Sequence, residues 1–155
     1  MKDAHRRAIG YARENNALIS FDPNLRFMLW DSEEALKEAV LEFIPEADIL
    51  KLSDEELEFI TGTDEIEKAL PELFEKGVKL VLYTCGKDGM FAFTRKASAH
   101  AISPKVEVVD TTGAGDAFFA GASVGLLRRL PLAKACRLGS EAAARVLSTK
   151  ENVLR

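Results

Sequence analysis

Apolar and polar positions along the chain switch repeatedly between a helical and an extended period. Ala4, Ala8, Tyr11 and Ala12 recur at spacings of three and four, which predicts a helix over 2–16. Ala17 to Phe21 is a short apolar run, an expected strand stopped at Asp22-Pro23 because proline restricts the residue before it. Ser32 is placed as an N-cap for a helix through Ala35, Leu36, Ala39, Val40 and Phe43, ending near Pro45. Asp48 to Leu52 predicts a second strand. Ser53 then opens a helix through Leu57 and Ile60 that ends at Gly62, and 64–76 is expected helical up to Gly77. Val78 to Thr84 has the strongest strand pattern in the chain. Past a turn at Gly86–Gly89, Met90 to Thr94 and Ala101 to Asp110 are expected to be extended. Two helices follow, about 115–130 and 132–148, the second begun by Pro131 where proline is tolerated.

Strands separated by helices imply an α/β fold, a mainly parallel sheet with helices on both faces. The sequence has no internal repeat, low-complexity tract or linker, so residues 1–155 are expected to form a single domain. The pattern opens in a helix with no strand before it, as in a piece of a longer chain or a natural N-terminal helix. A chain of 155 residues, 47% hydrophobic, is long enough to bury a real core. Its net charge of −4 offers a polyanion nothing, so nucleic acid is not an expected partner. No apolar run approaches the roughly 18 residues of a membrane span, and the charged stretch Met1 to Arg13 is no signal peptide. Cys85 and Cys136 are too far apart in sequence for a local metal pair; reduced thiols in a cytoplasmic protein are the expectation.

The chemistry is concentrated in Val106-Glu-Val-Val-Asp110-Thr-Thr-Gly-Ala-Gly-Asp116-Ala-Phe-Phe-Ala-Gly121. It reads as a β-rich run, a glycine turn, then an apolar helix. A helix N-terminus offers unpaired N–H groups and the positive end of the dipole. Gly113 and Gly115 let backbone approach a ligand closely, so the turn suits an anion such as phosphate. Asp116 stands where those N–H groups point, and a carboxylate beside phosphate makes sense as the acceptor of a proton from an attacking hydroxyl. The same pattern also describes an ordinary strand-to-helix turn with an acidic first turn. A P-loop is excluded, since no Gly followed by four residues and Gly-Lys-Ser/Thr occurs. A dinucleotide fingerprint fails too: its third glycine is Phe118, and Cys136-Arg137-Leu138 stands where its acidic residue belongs.

The stretch Asp110 to Gly121 resembles the C-terminal signature of the ribokinase-like (PfkB) carbohydrate kinases, most nearly the fructokinase branch. Three further stretches resemble that family in the expected order. Asp22-Pro23-Asn24-Leu25-Arg26 is similar to its element beside the sugar, and Lys51-Leu-Ser-Asp-Glu-Glu56 to its Asn-x-x-Glu element. Thr84-Cys-Gly-Lys-Asp-Gly89 is similar to its nucleotide-binding turn. The resemblance implies a Rossmann-like part of a ribokinase-like fold, without the lid and the N-terminal half. It implies ATP, Mg2+ and K+ as ligands, and Asp116 as the base that activates a primary sugar hydroxyl. Gly113, Ala114 and Gly115 would form the anion hole, and Thr84, Gly86 and Gly89 would line the nucleotide. Asn24 and Arg26 would face the substrate. Glu56 would hold the magnesium shell through water, and Asp110 and Thr112 would ligate the monovalent cation.

Plainer readings stand beside these roles. Ser53 and Glu56 have the spacing of a capping box, and Ser53 replaces the family's asparagine. Gly86 and Gly89 suit a hairpin, Asp22-Pro23-Asn24 is ordinary turn chemistry, and Phe118 and Phe119 are expected in the core. Lys150-Glu-Asn-Val153 departs from the glycine-containing loop that the family has there. Two functions therefore stay open: an ATP-dependent sugar kinase, and an inactive nucleotide-binding or folding fragment of one. The expected partners are ATP and a small sugar, together with a second copy of the chain or the missing N-terminal half.

Overall fold

A computed structural model describes residues 2–149; the expected loop departure at 150–153 lies outside them. The chain groups into two compact units, residues 1–81 and 82–155. Strands β1 (Ser20–Phe21), β2 (Ile49–Ser53), β3 (Leu80–Thr84), β4 (Met90–Phe93) and β5 (Ser98–Ala101) follow one another in that order in the sheet. The chain passes from one unit to the next within β3.

In the first unit β1 and β2 are parallel, Ser20 opposite Ile49 and Phe21 opposite Leu50. Three consecutive residues of β2, Leu50, Lys51 and Leu52, are buried, as an interior strand covered on both faces requires. Helix α2 (Glu33–Phe43) begins where Ser32 Oγ accepts the Ala35 N–H at 3.2 Å, and it buries Leu36, Ala39 and Val40. Helix α3 (Asp54–Thr61) opens on a complete capping box and ends at Gly62. Helix α4 (Ile66–Glu75) buries Ile66, Ala69, Leu73 and Phe74. Helix α1 (Lys2–Glu14) buries no side chain and is tied down by ion pairs. Its Lys2 lies 3.1 Å from Glu42, and Arg6 pairs with the same carboxylate at 2.5 Å.

In the second unit β4 and β5 are antiparallel, with Met90 opposite Ala101 and Phe91 opposite His100. Helices α5 (Ala114–Leu127) and α6 (Leu132–Leu147) pack on each other, and α6 on β4 and β5. Phe118 is fully buried, as expected for a core residue. The two helices meet so closely that a Cβ on Gly125 would lie 2.7 Å from Ala135 Cα.

The sheet with its helices has the α/β character expected, mixed rather than wholly parallel. One expected element is absent. Residues 101–110 were expected to be extended through the β-rich Val106–Asp110, yet β5 ends at Ala101 and the rest forms no strand. The segment is tied to α6 instead. Ser140 Oγ donates to the Ile102 carbonyl at 3.2 Å, and the Val109 N–H donates to the Leu147 carbonyl at 2.8 Å. Carbonyls in the last turn of a helix lack intrahelical donors, so the loop and the helix end satisfy each other and β-branched propensity is overridden. Among the described residues no helix is long and apolar enough to cross a membrane.

Candidate active site

The glycine turn and the start of α5 form one constellation in the second unit. The Asp110 N–H also reaches the Leu147 carbonyl, at 3.4 Å. The Asp110 carboxylate accepts the Thr112 N–H at 2.9 Å. That bond, with the Thr112 side chain and the Thr111 amide, holds the carboxyl below its ordinary value and therefore ionised. Gly113 caps the helix with φ +80, a left-handed conformation in which a side chain is strained. Its carbonyl accepts the first helical bond from Ala117, at 2.9 Å. The Ala114 N–H is already given to the Thr111 carbonyl at 3.2 Å, closing the turn. Among the described residues the N–H groups of Gly113, Gly115 and Asp116 meet no acceptor. Asp116 itself is exposed at the helix mouth. Open donors and an exposed carboxylate on one short stretch can receive an anion and take a proton beside it.

The Thr84–Gly89 stretch leaves the end of β3. Gly86 to Asp88 form one turn of 3-10 helix, and the Cys85 N–H donates to the Gly89 carbonyl at 2.9 Å. A Cβ on Gly89, at φ +94, would lie 2.5 Å from the Ala101 carbonyl oxygen. The turn between β3 and β4 therefore accounts for Gly89 without any ligand. Thr84 is half-buried at the strand end.

The remaining candidates belong to the first unit. Asp22-Pro23-Asn24-Leu25-Arg26 turns out of β1, with Asn24 left-handed at φ +44 and both Asn24 and Arg26 exposed. Arg26 folds back on its own turn, Nη1 donating to the Leu25 carbonyl at 2.9 Å. Asp22, Pro23, Asn24 and Arg26 edge a cavity of about 590 Å³ whose other walls are mostly apolar, among them Ile9, Phe21, Leu29, Trp30 and Phe43. Glu56 is buried, its Oε2 accepting the Ser53 N–H at 2.8 Å and its Oε1 the Leu25 N–H at 3.2 Å. Lys51 Nζ lies 3.6 Å from the same carboxylate and 3.2 Å from Asp22 Oδ1. Burial pushes the Asp22 carboxyl up, Lys51 draws it back, and Glu56 opposes that.

Lys51 and Asp22 were not singled out from the sequence as site residues. The available signal was a lysine between Leu50 and Leu52 in an otherwise apolar strand, since a buried ammonium needs partners.

The implied ions fare differently. Asp110 and Thr112 supply hard oxygen donors of the kind a monovalent cation takes, with the carboxylate held charged. A direct bond from Glu56 to magnesium is disfavoured: each carboxylate oxygen already accepts an amide N–H, and the Lys51 ammonium 3.6 Å from Oε2 repels a dication. Among the described residues no group of three or more His, Cys, Asp or Glu side chains is placed to hold a metal.

Comparison with known proteins follows the same lines. The pattern described as "pfkB family carbohydrate kinase" matches residues 1–153. Fructokinase-1 of Oryza sativa subsp. japonica is 45% identical over 130 residues, covering 83% of this chain and 39% of the rice protein. A double mutant of the Vibrio cholerae O395 fructokinase, with fructose, ADP and potassium ion bound, superposes with a TM-score of 0.87 at 30% identity. That match covers 97% of this chain and 50% of the other. Aminoimidazole riboside kinase from Salmonella enterica, complexed with aminoimidazole riboside and an ATP analog, gives a TM-score of 0.81 at 30% identity. There 94% of this chain and 50% of that one are covered. The chain thus spans about half the length of these solved structures, and less of the rice relative.

Proposed function

The chain belongs to the pfkB family of carbohydrate kinases, and we propose that it carries the nucleotide half of an ATP-dependent, fructokinase-like sugar kinase. The carrying observation is the start of α5, where open N–H groups of Gly113, Gly115 and Asp116 share one helix mouth with the Asp116 carboxylate. The bound ligands of the fructokinase and riboside kinase neighbours support the reading.

On this reading the γ-phosphoryl oxygens of ATP lie against the amides of the Gly113–Ala114–Gly115 turn. The open donors stabilise charge that builds there during transfer. Asp116 accepts the proton of a primary sugar hydroxyl as its oxygen bonds to the γ-phosphorus. The bond from that phosphorus to the β–γ bridging oxygen breaks, and ADP leaves with the electron pair. Thr84 and Gly86 flank the nucleotide. Asp110 and Thr112 would hold the monovalent cation, which when bound adds positive charge beside the anion hole. Magnesium, when bound to the nucleotide, neutralises its phosphates; Glu56 is not assigned to it. Asn24 and Arg26 meet the sugar, Arg26 as a fork of donors suited to oxyanions.

A second reading is an inactive fragment that binds nucleotide without transferring phosphate. The observation favouring it is that Asn24, Arg26 and Asp116 are all exposed, because transfer requires water to be excluded and the hydroxyl aligned. Leu18, Met28 and Leu29, each more than 60% exposed, would then meet a second polypeptide.

Calorimetric titration of the chain with a magnesium-bound, non-hydrolysable ATP analogue tests the proposal. Saturable binding at one site per chain is expected, weakened by Gly113→Val and unchanged or tightened by Asp116→Asn, which removes a negative charge near the γ-phosphate. Asp116→Asn also abolishes any sugar phosphorylation. A chain that is folded by circular dichroism yet binds no nucleotide overturns the assignment and leaves the fragment reading.

A further inference from the structure

The first unit holds a buried charge cluster that the phosphate chemistry does not use. Lys51 lies mid-strand in β2 with its side chain 9% exposed, and the carboxylates it meets, Asp22 and Glu56, are 14% and 7% exposed. Desolvating three charges is unfavourable unless each is met by partners. Their partners share a geometric property: they bracket the turn that leaves β1. Asp22 opens the turn and is held by the ammonium at 3.2 Å, with the Asn24 amide as a further donor to it. Three residues on, the Leu25 N–H is held by Glu56 Oε1 at 3.2 Å. Glu56 in turn is fixed by the Ser53 N–H at 2.8 Å and lies 3.6 Å from Lys51.

Between the two fixed points sits Asn24 at φ +44, in the sparsely populated left-handed region. A turn in that conformation persists when its surroundings hold both ends, and here both ends lead to one ammonium. Arg26 follows directly, exposed.

We infer that Lys51 is a positioning residue: with Asp22 and Glu56 it forms a buried clamp that fixes the 22–26 turn in the shape that presents Asn24 and Arg26 to the acceptor sugar. The sugar as ligand rests on the function proposed above; the clamp rests on the contacts alone. It also gives Glu56 a role other than the magnesium one that the family resemblance implies. Its carboxylate orders the turn that meets the substrate.

Amide hydrogen exchange read residue by residue tests the clamp in the 155-residue chain. Lys51→Met is expected to speed exchange of the Leu25 amide about tenfold or more, the effect of losing a hydrogen bond to a charged group. The amides of Leu36 and Val40 in α2 keep their wild-type rates, and Lys51→Arg restores Leu25. A lysine that merely supports the fold would loosen α2 in parallel with the turn, so parallel acceleration overturns the inference. So does an unchanged Leu25. If Lys51→Met does not fold, Glu56→Gln is read the same way: it removes the charge and keeps the size. Magnesium chloride is expected to leave the Leu25 resonance unmoved, and a saturable shift would return Glu56 to the metal. Fructose is expected to shift Asn24 and Arg26 in the wild type and not in Lys51→Met. A wild type in which fructose moves neither, while the exchange result holds, removes the sugar reading and leaves the clamp standing.

Discussion

Replacing Asp48 by asparagine shows how much of the first unit depends on one carboxylate. Asp48 stands just before β2 with its side chain 4% exposed. Oδ2 accepts the Ile19 N–H at 2.9 Å, Oδ1 lies 2.7 Å from Lys79 Nζ, and Arg13 Nη1 is 3.3 Å from Oδ2. The backbone of the same residue joins three segments. Its N–H donates to the Ile19 carbonyl at 2.8 Å, and its carbonyl accepts from Lys79 and Leu80 at 2.9 and 3.1 Å. An amide donating to a carboxylate contributes about 1.5–3 kcal/mol. The two cations are 70% and 44% exposed, so solvent screening leaves each pair about 0–1 kcal/mol. Asparagine keeps an oxygen for the Ile19 N–H and loses the charge assistance, about 1–1.5 kcal/mol, so with the two pairs the expected loss is about 1–3.5 kcal/mol, a large share of the roughly 5–15 kcal/mol that stabilises a domain.

The effect has a pH signature. Burial alone would push the Asp48 carboxyl up, but the Ile19 amide, Lys79 and Arg13 outweigh it and hold the group below its ordinary value. A depressed native value means stabilisation that is complete above the unfolded carboxyl's pKa of about 3.9 and is lost as pH falls through the lower native value. Urea unfolding of both proteins, at neutral pH and through the acid range, should show the full gap at neutral pH and a closing gap in acid. A neutral gap below about 1 kcal/mol, or one that acid leaves unchanged, would refute the reasoning.

Two further outcomes follow from packing. Gly125→Ala puts a Cβ 2.7 Å from Ala135 Cα and 2.8 Å from its Cβ, both unable to swing away. It should cost about 1–3 kcal/mol in urea unfolding, and an unchanged midpoint would mean the helices are not so closely apposed. Cys136 is fully buried, and burial pushes its thiol up to about 11. It should stay unlabelled by a thiol reagent at mildly alkaline pH until urea unfolds the chain; rapid labelling of the native protein would contradict that burial.

What the sequence disclosed and what it hid divide along a physical line. The helix starts at Ser32 and Ser53 and the stop at Gly62 are read from local chemistry, and the structure places each where capping rules put it. The predicted start of α5 was equally legible, since Gly113 and the apolar run after it state both turn and helix. The Val106–Asp110 segment misled because β propensity reports how a side chain suits a half-buried sheet surface. Here Val108 and Val109 are more than 40% exposed and the backbone bonds to the end of α6, a contact between residues 38 apart that no local pattern encodes. The charge cluster was hidden for the same reason. Lys51, Asp22 and Glu56 are ordinary in their own neighbourhoods, and only the parallel pairing of β1 and β2 brings 22 beside 51. The candidate chemistry of Asp116 was visible because its residues are contiguous. The distribution of donors within the turn, with Ala114 engaged and its neighbours open, was not.

The return of Val109 and Asp110 to the last carbonyl of α6 turns that helix into a measuring rod. One end of the gauge is set at Gly139, packed on Phe118, and the other at Leu147, whose oxygen receives both amides. One residue inserted between them would advance the end by about 1.5 Å and rotate it by about 100°. The carbonyl would then point away from the segment that leads into Gly113. Point substitutions on the outer surface of α6 leave that length intact, whereas a single insertion or deletion changes the reading at once. The helix mouth bearing Asp116 is thus calibrated by the residue count of a different helix, and length, more than composition, is what α6 has to preserve.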